Sequence, residues 1–123
     1  ITMDEALDFI LHATKLGTGS EIFVPKLRAY SLPDVKEALF EILENTGEEI
    51  IGTRPGEKLN EILINSDEIR YGWEIDNMYM ISNPEVMKTY SGAKKIENMK
   101  IYSSDTVDKI PKDELKQLIK NLI

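Results

Sequence analysis

The sequence predicts an α+β fold, and three observations carry that expectation. Two apolar stripes of helical period in the first half of the chain are each followed by a short apolar run. A third stripe closes the chain. The apolar runs between the stripes are four to six residues long, which suits strands and is too short for helices of ordinary length. With 123 residues, 41% apolar and 30% charged, the chain can bury one modest core, so a single domain over residues 1–123 is expected.

The first helix begins at Thr2, which has capping-box spacing to Glu5; Met3, Ala6, Leu7, Ile10 and Leu11 form its apolar stripe, and Gly17 and Gly19 end it. EIFVPK, residues 21–26, then reads as a buried strand stopped by Pro25. A second helix follows, capped by Ser31 and favoured by Asp34 in its first turn. Its apolar positions are Leu32, Val35, Leu39, Ile42 and Leu43, and it runs to Gly47. EEIIG, residues 48–52, is expected to be the next strand. For LNEILI, residues 59–64, period does not separate helix from strand, and strand is the expectation. Met78–Ile81 reads as a further strand, with SDEIRYGWEIDN, residues 66–77, as the connection before it. Residues 83–105 carry no clear period and are expected to be loop. Pro111 suits a helix start, with Leu115, Leu118, Ile119 and Leu122 forming the closing stripe.

Charge and composition exclude whole classes of function. A net charge of -7 and an isoelectric point near 4.8 argue against broad nucleic-acid binding or adhesion to anionic membranes, because polyanions need a dense basic face. The absence of cysteine removes disulfides, thiolate metal sites and a cysteine nucleophile. The single histidine, His12, argues against a zinc centre. No apolar run reaches membrane-spanning length and no signal segment leads the chain, so a cytoplasmic protein is expected. A start at Ile1 directly before a helix signal suggests a piece of a longer polypeptide.

Against this acidic background GTRPGEKLNE, residues 52–61, stands out. Pro55 fixes its own φ and biases Arg54 toward extended backbone, and Gly56 accepts the positive φ of a type II turn. Arg54 and Glu57 therefore become the first and fourth turn residues. A guanidinium fork suits two phosphate oxygens, and a carboxylate can accept both hydroxyls of a ribose. On spacing alone, the simpler reading is an ion pair across an exposed turn, which is worth little. Lys26, at the end of a strand, could face an anionic ligand or be a solvated strand end.

GTRPGEKLNE, together with EIFVPK and the opening TMDEALDFIL, resembles the C-terminal portion of the nucleotide-sugar 4,6-dehydratase and epimerase family of polysaccharide biosynthesis, extended short-chain dehydrogenase/reductase proteins. Within it the similarity is closest to inverting UDP-N-acetylglucosamine 4,6-dehydratases. YSSDTV, residues 102–107, resembles a YSSNTN-like segment that borders the sugar nucleotide in that family. Asn60 departs from a usual histidine, and Asp105 and Val107 from usual asparagines.

The resemblance implies that Arg54 grips the diphosphate and Glu57 the ribose of a UDP-sugar, with Tyr102 and Ser103 as weaker substrate-binding candidates; Lys26, by its place at a strand end, is a further one. It implies a preceding Rossmann domain as the chain's partner, which would hold NADP or NAD and the catalytic Tyr, Lys and acid. No catalytic, cofactor-binding or metal-binding residue is then assigned to these 123 residues, which alone should be inactive; a homo-oligomer is left open. The alternatives are the same clamp in a UDP-sugar 4-epimerase, and an acidic module that binds a protein through an exposed helix face.

Two local patterns mislead. Tyr90 and Lys94 have the Tyr-x-x-x-Lys spacing of a catalytic pair, but Gly92 lies between them in a loop-like stretch. Gly17-Thr18-Gly19 starts like a dinucleotide fingerprint but follows a helix, not a strand, and lacks the third glycine.

Overall fold

The computed structural model describes residues 1–123, and the chain divides into two compact units. One comprises Ile1–Leu27 and Ile62–Ser103, the other Arg28–Glu61 and Ser104–Ile123. Helices and antiparallel strands are both present, as the α+β expectation requires.

The first unit opens with α1, Met3–Leu16. Its capping box is complete: the Thr2 hydroxyl accepts from the Glu5 N–H at 3.3 Å, and the Glu5 carboxylate accepts from the Thr2 N–H at 2.7 Å. The helix stops where the Gly17 N–H donates to Ala13 at 2.8 Å. A side chain at Gly17 would meet the Phe23 ring at 3.1 Å and the Ala13 carbonyl at 3.2 Å, so glycine eases the close approach of helix and strand.

A four-stranded antiparallel sheet follows, in the order β1-β4-β3-β5. Its strands are β1 (Ile22–Pro25), β3 (Gly72–Ile75), β4 (Met78–Ile81) and β5 (Lys94–Lys95). Strands β3 and β4 form a hairpin closed by Asp76 and Asn77, with Asp76 in the left-handed region at φ 48°. Side chains alternate across a strand, so Phe23, Trp73, Ile75, Met78 and Met80 share one face. That face packs with Met87 of α3 (Pro84–Met87), Phe9 and Leu16 of α1, and Tyr90. A separate antiparallel pair joins β2 (Ile62–Ile64) to β6 (Tyr102–Ser103) and buries Ile64 and Tyr102.

The second unit is built on α2 (Leu32–Ile42) and α4 (Lys112–Leu122), which bury Ala38 and Leu115. Ser31 caps α2 by accepting from the Asp34 N–H at 3.2 Å. Lys112 bridges Glu37 and Glu41 at 3.2 and 3.0 Å, and Lys116 reaches Glu41 at 2.6 Å. The hydrogen bonds hold the Glu41 carboxyl down at about 2 and, with Glu41 first and Glu37 next, raise the Lys112 ammonium above its ordinary value.

Several sequence expectations require correction. EEIIG is not a strand: residues 44–53 have no regular structure, Gly52 takes φ 75°, and no neighbouring strand pairs with the run. The stretch 66–77 is not a plain connection, because it holds a 3-10 turn at Glu68–Tyr71 and strand β3. Residues 83–105 contain α3, β5 and β6. Strand β1 buries only Val24, and α2 ends at Ile42, short of Gly47. Pro111 is the N-cap of α4 rather than its first helical residue.

Candidate functional site

Residues 54–57 form the turn that their chemistry dictates. The Glu57 N–H donates to the Arg54 carbonyl at 3.1 Å, closing a four-residue turn, and Gly56 sits at φ 88°. One Glu57 oxygen accepts from the Arg54 N–H at 2.7 Å, and the other lies 3.9 Å from the Arg54 Nε. Glu57 thus locks the turn through the backbone. The guanidinium keeps 70% of its side chain exposed, with its terminal nitrogens available to a ligand.

The turn lies in an unusual setting. Every residue from 43 to 63 is exposed, including Ile50 at 90%, Ile51 at 66% and Leu59 at 92%. Large exposed apolar side chains of this kind are a feature of interaction surfaces.

Lys26 lies in the first unit, just past β1. Its ammonium pairs with Glu74 and stands 5.0 Å from the centre of the Tyr79 ring, so 25% of the side chain is exposed. Tyr102 belongs to the same neighbourhood. Its ring meets Tyr79 edge-on at 4.9 Å, and its hydroxyl accepts from the Leu27 N–H at 2.6 Å and lies 3.1 and 3.2 Å from the Pro25 and Leu27 carbonyls. Burial pushes the Tyr79 phenol up. Ser103 is buried in β6 opposite Ile62.

The first unit therefore gathers Lys26 and Tyr102 and adds Glu74 and Tyr79, which sequence reasoning missed. Glu74 lies in β3, for which the alternation in Trp73-Glu74-Ile75 was the available signal, whereas Tyr79 lies in the expected strand Met78–Ile81. Arg54 and Glu57 form their own pair in the second unit.

Neither misleading pattern forms a site. Tyr90 follows α3 without being part of it, and Lys94 lies in β5. The Tyr90 hydroxyl donates to Glu21 at 2.7 Å and lies 3.2 Å from the Leu16 carbonyl. Burial first, and the Glu21 hydrogen bond next, push its phenol up, opposite to what a catalytic phenol needs.

The Gly17–Ser20 loop is likewise not shaped to take a dinucleotide phosphate. The backbone N–H groups of Thr18, Gly19 and Ser20 all donate to Glu21, at 3.1, 2.8 and 3.0 Å, so its own carboxylate fills the place an anion would take. The Thr18 hydroxyl, then Tyr90, hold that carboxyl well below the usual range. These residues do not fit NADP. No group of three or more acidic or histidine side chains is arranged to hold a metal ion, and no helix is long and apolar enough to cross a membrane.

Residues 1–83 match the family described as polysaccharide biosynthesis protein. The chain is 38% identical to the UDP-N-acetylglucosamine 4,6-dehydratase (inverting) of Campylobacter jejuni over 82 residues, 67% of this chain and 24% of the dehydratase. It is 30% identical to the UDP-glucose 4-epimerase of Rickettsia bellii over 128 residues, 99% of this chain and 38% of the epimerase. Among solved structures, Pen from Bacillus thuringiensis superposes with a TM-score of 0.83 at 35% identity, covering 98% of this chain and 36% of that one. The chain thus spans between a quarter and two fifths of the length of these proteins.

Proposed function

We propose, from the premise that the chain belongs to the polysaccharide biosynthesis protein family, that it is the UDP-sugar-binding portion of a nucleotide-sugar 4,6-dehydratase of the UDP-N-acetylglucosamine type. The observation that carries the reading is the locked turn at residues 54–57. It holds an exposed guanidinium beside a carboxylate on one rigid backbone bend.

Arg54 supplies a planar fork to the diphosphate, where two parallel charge-assisted hydrogen bonds give both strength and orientation. Glu57 retains acceptor capacity beyond its bond to the Arg54 N–H and takes the ribose hydroxyls. Lys26, Tyr102 and Ser103 are the weaker substrate-binding candidates; Tyr102 would act by holding the backbone around Lys26.

In this reading the chain contributes affinity and orientation. Binding energy from the nucleotide, remote from the reacting carbons, positions the sugar for chemistry performed elsewhere. The hydride carrier, NADP or NAD, would supply the redox chemistry and belongs with residues outside this chain, in a Rossmann domain. The isolated chain is then inactive, and the cytoplasm is its natural compartment. The exposed face of α1, with Met3, Leu7, Ile10 and Leu11 each more than half exposed, is where such a domain would pack.

A second reading, a UDP-sugar 4-epimerase with the same clamp, is favoured by one observation. The similarity to the Rickettsia epimerase runs over 99% of the chain, whereas that to the Campylobacter dehydratase runs over 67%. An acidic protein-interaction module would not need the arginine and glutamate to be locked on one turn.

The reading is tested by following backbone amide resonances of the 15N-labelled chain during titration with UDP. The largest shifts are expected within residues 52–61. Shifts spread evenly over the chain, or confined to α1, would count against the clamp.

A further inference from the structure

We propose that Glu74 sets the anion affinity of Lys26, holding its ammonium at the end of β1 and passing to Lys94 when an anionic group of the ligand takes Lys26. Tyr102 and Tyr79 are the positioning residues of this device. The inference rests on the nucleotide-sugar reading and adds to it a second anion contact with its own control.

Strand register brings the parts together. Val24 of β1 and Glu74 of β3 both lie opposite Tyr79 of β4, so Glu74 and Tyr79 share the sheet face away from the core of Ile75, Met78 and Met80. Glu74 lies opposite Lys94 of β5 on its other side. Directly opposed side chains in an antiparallel pair are neighbours, so one carboxylate has a lysine on each flank. Glu74 pairs with Lys26, yet 48% of its side chain is exposed, which leaves it room to turn.

Lys26 is the better fixed of the two lysines. The Tyr102 hydroxyl bonds to backbone on both sides of it, through Pro25 and Leu27, and the Tyr79 ring lies beneath the ammonium. Cation–π contact offsets part of the cost of removing the ammonium from water.

Charge then decides the behaviour. The pair of Lys26 and Glu74 is close to neutral, so a phosphate approaching it meets repulsion as well as attraction. Transfer of Glu74 to Lys94 releases the full charge of Lys26 to the ligand. Removing the Glu74 charge leaves Lys26 unpaired and raises its anion affinity.

The test is calorimetric titration of inorganic pyrophosphate into the full chain at low salt, with Lys26 followed by NMR of its side-chain CH2 next to the ammonium. Thermal midpoints confirm that each variant folds. E74Q is expected to bind pyrophosphate about tenfold more tightly than the parent chain, and K26M added to E74Q should abolish the gain. Glu85→Gln, which removes the same charge from the exposed pair of Glu85 with Lys88 just past α3, should leave affinity unchanged. Y102F added to E74Q should reduce the gain and shift the Lys26 resonance, which a purely structural tyrosine would not do. E74Q binding no more tightly than the parent chain, including no binding by either, overturns the proposal, as does a gain that survives K26M. R54A separates the two readings. Loss of binding in R54A with no effect of E74Q leaves the clamp and removes this inference, whereas tightening in E74Q with no effect of R54A does the reverse.

Discussion

At the scale of single residues, the Arg54 turn and the Lys26 cradle contrast. The turn is legible because its causes are local: Pro55 and Gly56 dictate the bend, and Glu57 closes it three residues from Arg54. The surroundings of Lys26 are not local. Glu74 is 48 residues away, and the Tyr102 hydroxyl meets Leu27 across 75. No spacing rule reaches such pairs, and they become visible only once the sheet register is known. Tyr102→Phe leaves the half-buried Leu27 N–H and its neighbouring carbonyls without their partner. It is expected to destabilise the chain by about 1–3 kcal/mol, seen as a lower urea midpoint. An unchanged midpoint would mean that water replaces the hydroxyl.

At the scale of elements, α1 and α2 follow from sequence because cap and stripe coincide, Thr2 with Glu5 and Ser31 with Asp34, and α4 follows from its stripe after Pro111. Strands fail where pairing decides. EEIIG has the composition of a strand but no partner, whereas Gly72–Ile75 forms one because Met78–Ile81 folds back on it through Asp76 and Asn77. The brace between α2 and α4 carries a pH signature. The hydrogen bonds from Lys116 and then Lys112 hold the folded Glu41 carboxyl down at about 2, below its ordinary 4.5, so its contribution is complete above about pH 4.5 and lost as pH falls toward 2. Lys112 acts in the opposite window, losing its contribution as pH rises above its ordinary value of 10.5. Urea unfolding at pH 5, 3 and 2, taken as sample points, should show parent and Glu41→Gln chains converging as the acid range is entered. A constant difference would deny Glu41 this role. Comparison with that variant isolates Glu41 from Glu21 and Glu114, whose carboxyls are also lowered.

At the scale of the whole molecule, the apolar side chains outside the core include two runs, the α1 face and the 43–63 stretch. The sequence shows both as apolar, yet nothing in periodicity distinguishes a stripe facing the chain's own core from one facing another domain. The Phe9 and Leu16 flank of α1 packs inward, while Leu7 at 51% and Leu11 at 58% remain exposed. Leu7→Glu and Leu11→Glu should therefore change the stability of the isolated chain by no more than about 0.5 kcal/mol. A loss of several kcal/mol in thermal or urea unfolding would show that these side chains already belong to its own core. In the longer enzyme proposed here, the same substitutions should destabilise the packing of the two domains.

The central claim is that the turn at Arg54 holds a nucleoside diphosphate, and calorimetric titration of uridine, UDP and UDP-N-acetylglucosamine into parent and Arg54→Ala chains tests it most directly. The account predicts that both diphosphates bind the parent chain more tightly than uridine does, and that Arg54→Ala removes this advantage. Diphosphate binding that is unchanged by the substitution would contradict it.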